Sequence, residues 1–205
     1  LDGLMSCSGQ IAHALCRSSP EVAQADIKIQ LHWLSSPDAR DPKQLVLDDH
    51  PGVSIGTFPL LPKSRGAVHI RSADPEESPA MSANYLGHPD DVAVTLRAIR
   101  MARNIAAQPA LQEFGVEEIR PGPAQISDEE LLAFVRDSAQ TSYHPVGTCR
   151  MGTDADAVVD AELRVHGVEN LRIADASVFP TMCSANTNAP AMVVGLKAAA
   201  ALLGS

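Results

Sequence analysis

Ser142-Tyr143-His144-Pro145-Val146-Gly147-Thr148-Cys149-Arg150-Met151-Gly152 sets one histidine between the end of an expected helix and a tight, glycine-bounded loop. Pro145 fixes the backbone after the ring, and Gly147 and Gly152 let another backbone or a planar ring come close. An imidazole suits general-base work near neutral pH because its unperturbed pKa lies there. Its plain alternative is a histidine satisfied at a helix end. Further on, Ser184-Ala185-Asn186-Thr187-Asn188-Ala189-Pro190 precedes an apolar C-terminal run. Asn188 offers a neutral amide that could orient a substrate hydroxyl without competing for its proton. A helix-capping role is the plain alternative, and Asn186, Thr187 and Ser184 share it.

Upstream of His144, Ser127 with Glu130 makes a capping box, and Ile126 with Leu131 the matching hydrophobic staple. That helix runs to about Ala139 and leads into His144. Before it, Asp90 or Asp91 caps a helix whose positions Val92, Leu96, Ile99 and Ala102 recur at helical spacing, ending near Pro109. The clearest strand covers residues 25–34, with Ile27, Ile29, Leu31 and Trp33 on one face and Lys28, Gln30 and His32 on the other. The spacing assigns Trp33 to core packing. A shorter strand is expected over 9–15. Residues 53–61 and 66–71 read as an antiparallel pair, because their connection is too short for a crossover. Residues 35–50 read as a surface loop broken at Pro37-Asp38 and Asp41-Pro42. Beyond Gly152, Leu163-Arg164-Val165 and Leu171-Arg172-Ile173-Ala174 flank a turn, and a buried helix is expected from Ala191 to Leu203, opening after Pro190.

The 205 residues suffice for one good core, or one domain and part of another. An apolar fraction of 45% with 20% charged residues is that of a folded globular chain. A formal charge of -9 argues against nucleic acid, whose phosphates need clustered Lys and Arg. Cys7, Cys16, Cys149 and Cys183 show no metal-type pairing, so free thiols in a reducing, cytoplasmic setting are expected. The histidines show no metal-ligand spacing either, and no metal is assigned. No signal-peptide pattern is present. The run at 189–203 is shorter than the roughly 20 residues a bilayer span needs, and it contains Lys197. The chain opens on Leu1 in mid-pattern, which reads as a piece of something longer.

In their order, residues 142–152, 163–180 and 186–190 resemble the C-terminal signature of the glucose–methanol–choline flavoprotein oxidoreductases. Ser64-Arg65-Gly66, Asp74-Pro75 and Asn84-Tyr85-Leu86 resemble the same family's substrate domain. The likeness is greatest to its choline dehydrogenase-like and alcohol dehydrogenase-like branch. It implies that His144 is the base taking the hydroxyl proton as hydride leaves for the N5 atom of FAD, with Asn188 as its partner at the substrate oxygen. Asp175 and Ala176 fall where the family meets the phosphate-ribityl region, and Asn188, Ala189 and Pro190 fall beside the flavin ring. His32 falls where some choline-oxidising members place a substrate-positioning histidine. No pair of glycines is spaced Gly-x-Gly, so the fingerprint that seats the FAD pyrophosphate is absent.

The expected fold is therefore α+β. Residues 1–140 form a substrate-binding domain with an antiparallel sheet and helices on one side. Residues 141–205 carry the active-site loops and a C-terminal segment completing an FAD domain supplied by an N-terminal part of the enzyme. The expected partners are that part and an alcohol. The alternatives are a non-enzymatic binding or assembly module, and a flavin-containing hydroxynitrile-lyase-like enzyme.

Overall fold

The structure is a computed structural model and describes residues 9–36 and 46–204. Cys7 and the breaks at Pro37-Asp38 and Asp41-Pro42 lie outside the described residues. The chain divides into two compact units, one from residues up to 60 with 88–141, the other from 61–87 with 142 onward. The division expected at residue 140 lies beside the second junction. Residues 61–87, however, group with the C-terminal part.

In the first unit, strands β1 (Gln10–Cys16), β2 (Ile27–His32) and β3 (Ser54–Pro59) form an antiparallel sheet in the order β1-β2-β3. The alternation read for β2 holds in the ladder. Ile27 and Ile29 are buried against Ala98 of helix α1 (Pro89–Ala106), with Val94, Met101 and Ile105 packed around them. Burying two isoleucines and the small face of α1 is what joins helix to sheet. Trp33 lies beyond the last paired residue and is 45% exposed, so its assignment to the core does not hold. Once the ladder ends, strand parity no longer dictates its side.

His88 caps α1, with its ring Nδ1 accepting from Asp90 N at 3.1 Å and Pro89 in the first helical position. Asp90 and Asp91, the expected caps, sit instead in the first turn, where their charge favours the helix N-terminus. A short helix α2 (Pro109–Gln112) follows, unforeseen because one turn carries no periodicity. Helix α3 (Asp128–Ser138) has the expected capping box, with Glu130 N donating to Ser127 Oγ at 3.2 Å and Ser127 N donating to Glu130 Oε2 at 3.0 Å. Its staple is not closed: Leu131 is fully buried but Ile126 is 70% exposed. Ile126 contributes through its backbone N–H, which also reaches Glu130 Oε2.

In the second unit, β4 (Ala67–His69) pairs with β5 (Ala80–Ser82), not with β3 as the short connection implied. The turn between them closes on itself. Ser72 Oγ donates to Glu77 Oε2 at 2.6 Å, and Glu76 N donates to Asp74 Oδ1 at 3.0 Å. Gly66 has no room for a methyl group, which would strike the carbonyl of Ser82. The two segments expected around 163–174 are single bridges, Val159 with Val165 and Arg164 with Arg172, not continuous strands. Their core is Val159, Leu163, Val178, Phe179 and Ala198, with Val146, Met151, Ile173 and Val194 against it.

Helix α4 runs Asn188–Leu203, three residues earlier than expected, with Pro190 inside its first turn. It is not a buried helix. Ala198 is buried, whereas Met192, Val193, Leu196, Leu202 and Leu203 are all more than half exposed. Among the described residues, no helix is long and apolar enough to cross a membrane.

Candidate functional site

The loop carrying His144 is bonded to the short 3₁₀ turn Ala176–Val178. Cys149 N donates to Ser177 O at 3.0 Å, and Met151 N donates to Val178 O at 2.8 Å. Val146 and Met151 sink into the core below, so the loop is held by both backbone and side chains. Gly147 takes a positive φ of 87°, and a Cβ there would lie 3.3 Å from Phe179 O. Tyr143, immediately before the histidine, takes φ 58°. A left-handed aromatic residue is costly, and such strain persists only where surrounding structure imposes it.

Half-buried, the His144 ring is gripped at both nitrogens by neighbouring residues of the loop before α4. Nδ1 lies 2.9 Å from Thr187 Oγ1, and Nε2 lies 2.8 Å from Asn186 Nδ2. Both partners are uncharged. Thr187 is 8% exposed, while Asn186 is exposed. The structure thus joins the two stretches singled out in the sequence, but the amide touching the imidazole is Asn186. Asn188 is exposed as the first residue of α4, and its side chain makes no hydrogen bond among the described residues.

The other expected site residues are placed as follows. Asp175 caps the 3₁₀ turn through Oδ1, which accepts from Ser177 N at 2.7 Å. Ala176 packs against the core. Ala189 and Pro190 occupy the first turn of α4. His32 belongs to the first unit, at the end of β2, opposite Gln10 and Ser54. Burial first, and then the charge of Lys28, lower its pKa from the ordinary histidine value. Cys16, Cys149 and Cys183 are free, half-buried thiols.

A half-buried imidazole on a strained loop, beside an amide and an exposed helix start, is equipped to take a proton and steady an oxygen. The chain belongs to the GMC oxidoreductase family, whose model matches residues 62–195. It is 41% identical over 195 residues to an oxygen-dependent choline dehydrogenase of Rhizobium rhizogenes, covering 94% of this chain and 35% of that protein. It is 39% identical over 190 residues to an alcohol dehydrogenase [acceptor] of Pseudomonas putida, covering 89% and 32%. Among solved structures, an FAD-dependent oxidoreductase from Chaetomium thermophilum matches with a TM-score of 0.71 at 27% identity, covering 87% of this chain and 28% of that one. The chain spans about a third of the length of the curated relatives it matches.

Two features suit these residues to the edge of a flavin. The N-cap of α4, Thr187, makes no side-chain cap, so its hydroxyl does not occupy the N–H groups of the first turn, and that end of the helix favours an electron-rich group. Asp175 commits only one carboxylate oxygen to its own turn, which leaves the other for a hydroxyl. The sequence holds no Gly-x-Gly pair of the kind that seats an FAD pyrophosphate.

Proposed function

We propose that this chain is the substrate-side, catalytic portion of an FAD-dependent enzyme that oxidises an alcohol to an aldehyde or ketone, with His144 as the base. The observation that carries the reading is the grip on His144. Its Nε2 accepts from the Asn186 amide, so that nitrogen holds a lone pair and no proton. A substrate hydroxyl taking the place of that amide hydrogen would give its proton to Nε2. Asn186, released, would donate to the substrate oxygen as negative charge builds there.

Bound FAD would supply the acceptor for the hydride leaving the carbinol carbon, because no amino-acid side chain accepts hydride. Asp175, the backbone at Ala176, and the first turn of α4 from Asn188 to Pro190 are the groups proposed to hold it. Support for Asn186 rather than Asn188 at the substrate oxygen comes from the 2.8 Å contact, which Asn188 does not share. His32 is proposed, from the family likeness alone, to position substrate. Its lowered pKa favours hydrogen bonding over charge pairing.

The partner this reading requires is an FAD-anchoring part of the same enzyme. The relatives' threefold greater length and the exposed apolar residues on α4 both support it. The test is the absorbance of the full-length protein under anaerobic conditions. A yellow protein bleached by a primary or secondary alcohol is expected. A colourless protein, or a flavin that no alcohol reduces, would point to a binding module or a lyase instead.

A further inference from the structure

We infer that Thr187 is a positioning residue for His144: its hydroxyl accepts a hydrogen bond from Nδ1–H and thereby fixes the tautomer that leaves Nε2 unprotonated as the base. This deepens the function proposed above and rests on it.

The argument starts at the helix. Thr187 is the N-cap of α4, a position where a threonine hydroxyl ordinarily accepts from the backbone N–H two or three residues on. Three residues on stands Pro190, which has no N–H. The backbone of Thr187 is also not in the extended form usual for a cap, with φ -79° and ψ -10°, and its side chain makes no capping bond. The hydroxyl is turned instead to His144 Nδ1 at 2.9 Å, and the residue is 8% exposed. A capping residue has given up its cap for a histidine 43 positions away.

The direction of that bond follows from the other nitrogen. Asn186 Nδ2 is a donor, so Nε2 must accept and carries no proton. A neutral imidazole then keeps its hydrogen on Nδ1, and the only role left to Thr187 Oγ1 in this contact is acceptor. Adjacent residues therefore define the ring at opposite ends. When Nε2 takes the substrate proton, the hydroxyl O–H bond breaks and an Nε2–H bond forms. The Nδ1 hydrogen stays on the ring, still donated to Thr187, so no proton passes through the threonine.

Thr187→Val keeps the shape and removes the acceptor, whereas Thr187→Ser restores it. With the full-length, flavin-loaded protein, ¹⁵N NMR of His144 should show Nδ1 protonated in the wild type and in Thr187→Ser. In Thr187→Val that single tautomer should be lost. Flavin bleaching by alcohol should slow about 10- to 100-fold in the valine variant, less than the roughly 10²- to 10⁴-fold that the positioned base itself contributes. The acid limb of its pH profile should move to lower pH, because the protonated ring loses an acceptor. Serine should recover both rate and profile.

A wild-type His144 protonated at Nε2 would overturn the inference. So would a valine variant that keeps the wild-type rate and pH profile. Should that variant fail to hold flavin, the NMR of the wild type and serine variant decides. A His144→Ala protein that still bleaches at the wild-type rate sinks the base assignment itself, whereas loss there with no effect of valine sinks only the role given to Thr187.

Discussion

His144 Nδ1 and Thr187 Oγ1 stand 2.9 Å apart although they lie 43 positions apart in the chain, and Asn186 closes on the opposite nitrogen at 2.8 Å. Two adjacent residues before α4 thus hold the imidazole from both sides. The core of Val159, Leu163, Val178, Phe179 and Ala198 ties the histidine loop and α4 into one unit, which gives that grip its rigidity.

The two asparagines of this loop should separate cleanly. Asn186→Ala should slow flavin reduction by alcohol about 100-fold, the usual cost of losing one donor at a developing oxyanion. Asn188→Ala should act mainly on the cofactor side, with a smaller loss in rate and weaker flavin retention. Anaerobic stopped-flow together with flavin content of the purified variants checks this. Equal rates for Asn186→Ala and wild type would return the role to Asn188.

Gly147→Ala should destabilise the protein by about 1–2 kcal/mol, because φ 87° is left-handed backbone that an L side chain resists. The added methyl also presses on Phe179 O. Urea unfolding measures the loss. Because this loop carries His144, the rate of alcohol oxidation should fall with it.

Helix α3 offers a test of local stability. Ser127→Ala should cost about 1 kcal/mol, typical of a lost N-cap. The backbone N–H of Ser127, then its hydroxyl, then the N–H of Ile126 hold the Glu130 carboxyl below its ordinary pKa. Glu130 therefore stabilises the folded state fully above the ordinary glutamate pKa, and the effect fades as pH falls through the lower folded value. The difference between wild type and Glu130→Gln should shrink on acidification, as thermal melts across that range would show.

Asp154 should titrate far below an ordinary aspartate. Hydrogen bonding to the Arg150 side chain first, then to the backbone N–H of Asp156, brings its pKa to about 2. Both groups are at the surface, so salt should weaken the pairing. Carboxyl NMR titration should find the low value, and Arg150→Gln should raise it towards the ordinary aspartate range. An unchanged titration would mean the pair does not persist in solution.

Much of the fold was legible because its causes are local. The alternation of Ile27 and Ile29 against Lys28 and Gln30 is visible without knowing what covers them, and the Ser127–Glu130 box lies within one turn. The pairing of β4 was not legible, since β5 has three residues and no pattern, and short connections favour the wrong neighbour. Nor was the exposure of α4: an apolar run reads as buried whether or not the covering surface belongs to the same segment. At the site, His144 and the stretch 184–190 stood out. Which of Asn186, Thr187 and Asn188 meets the ring depends on how α4 begins. One signal was present and passed over. Pro190 removes one of the two N–H groups that a capping Thr187 could use, which made a partner elsewhere more favourable for that hydroxyl.

The most direct measurement is the rate of flavin bleaching by alcohol in the full-length His144→Ala protein, under anaerobic conditions and with flavin content checked. The account predicts FAD retained and reduction slowed about 10²- to 10⁴-fold, the contribution of a positioned base. A variant that holds FAD and is reduced at the wild-type rate would contradict it.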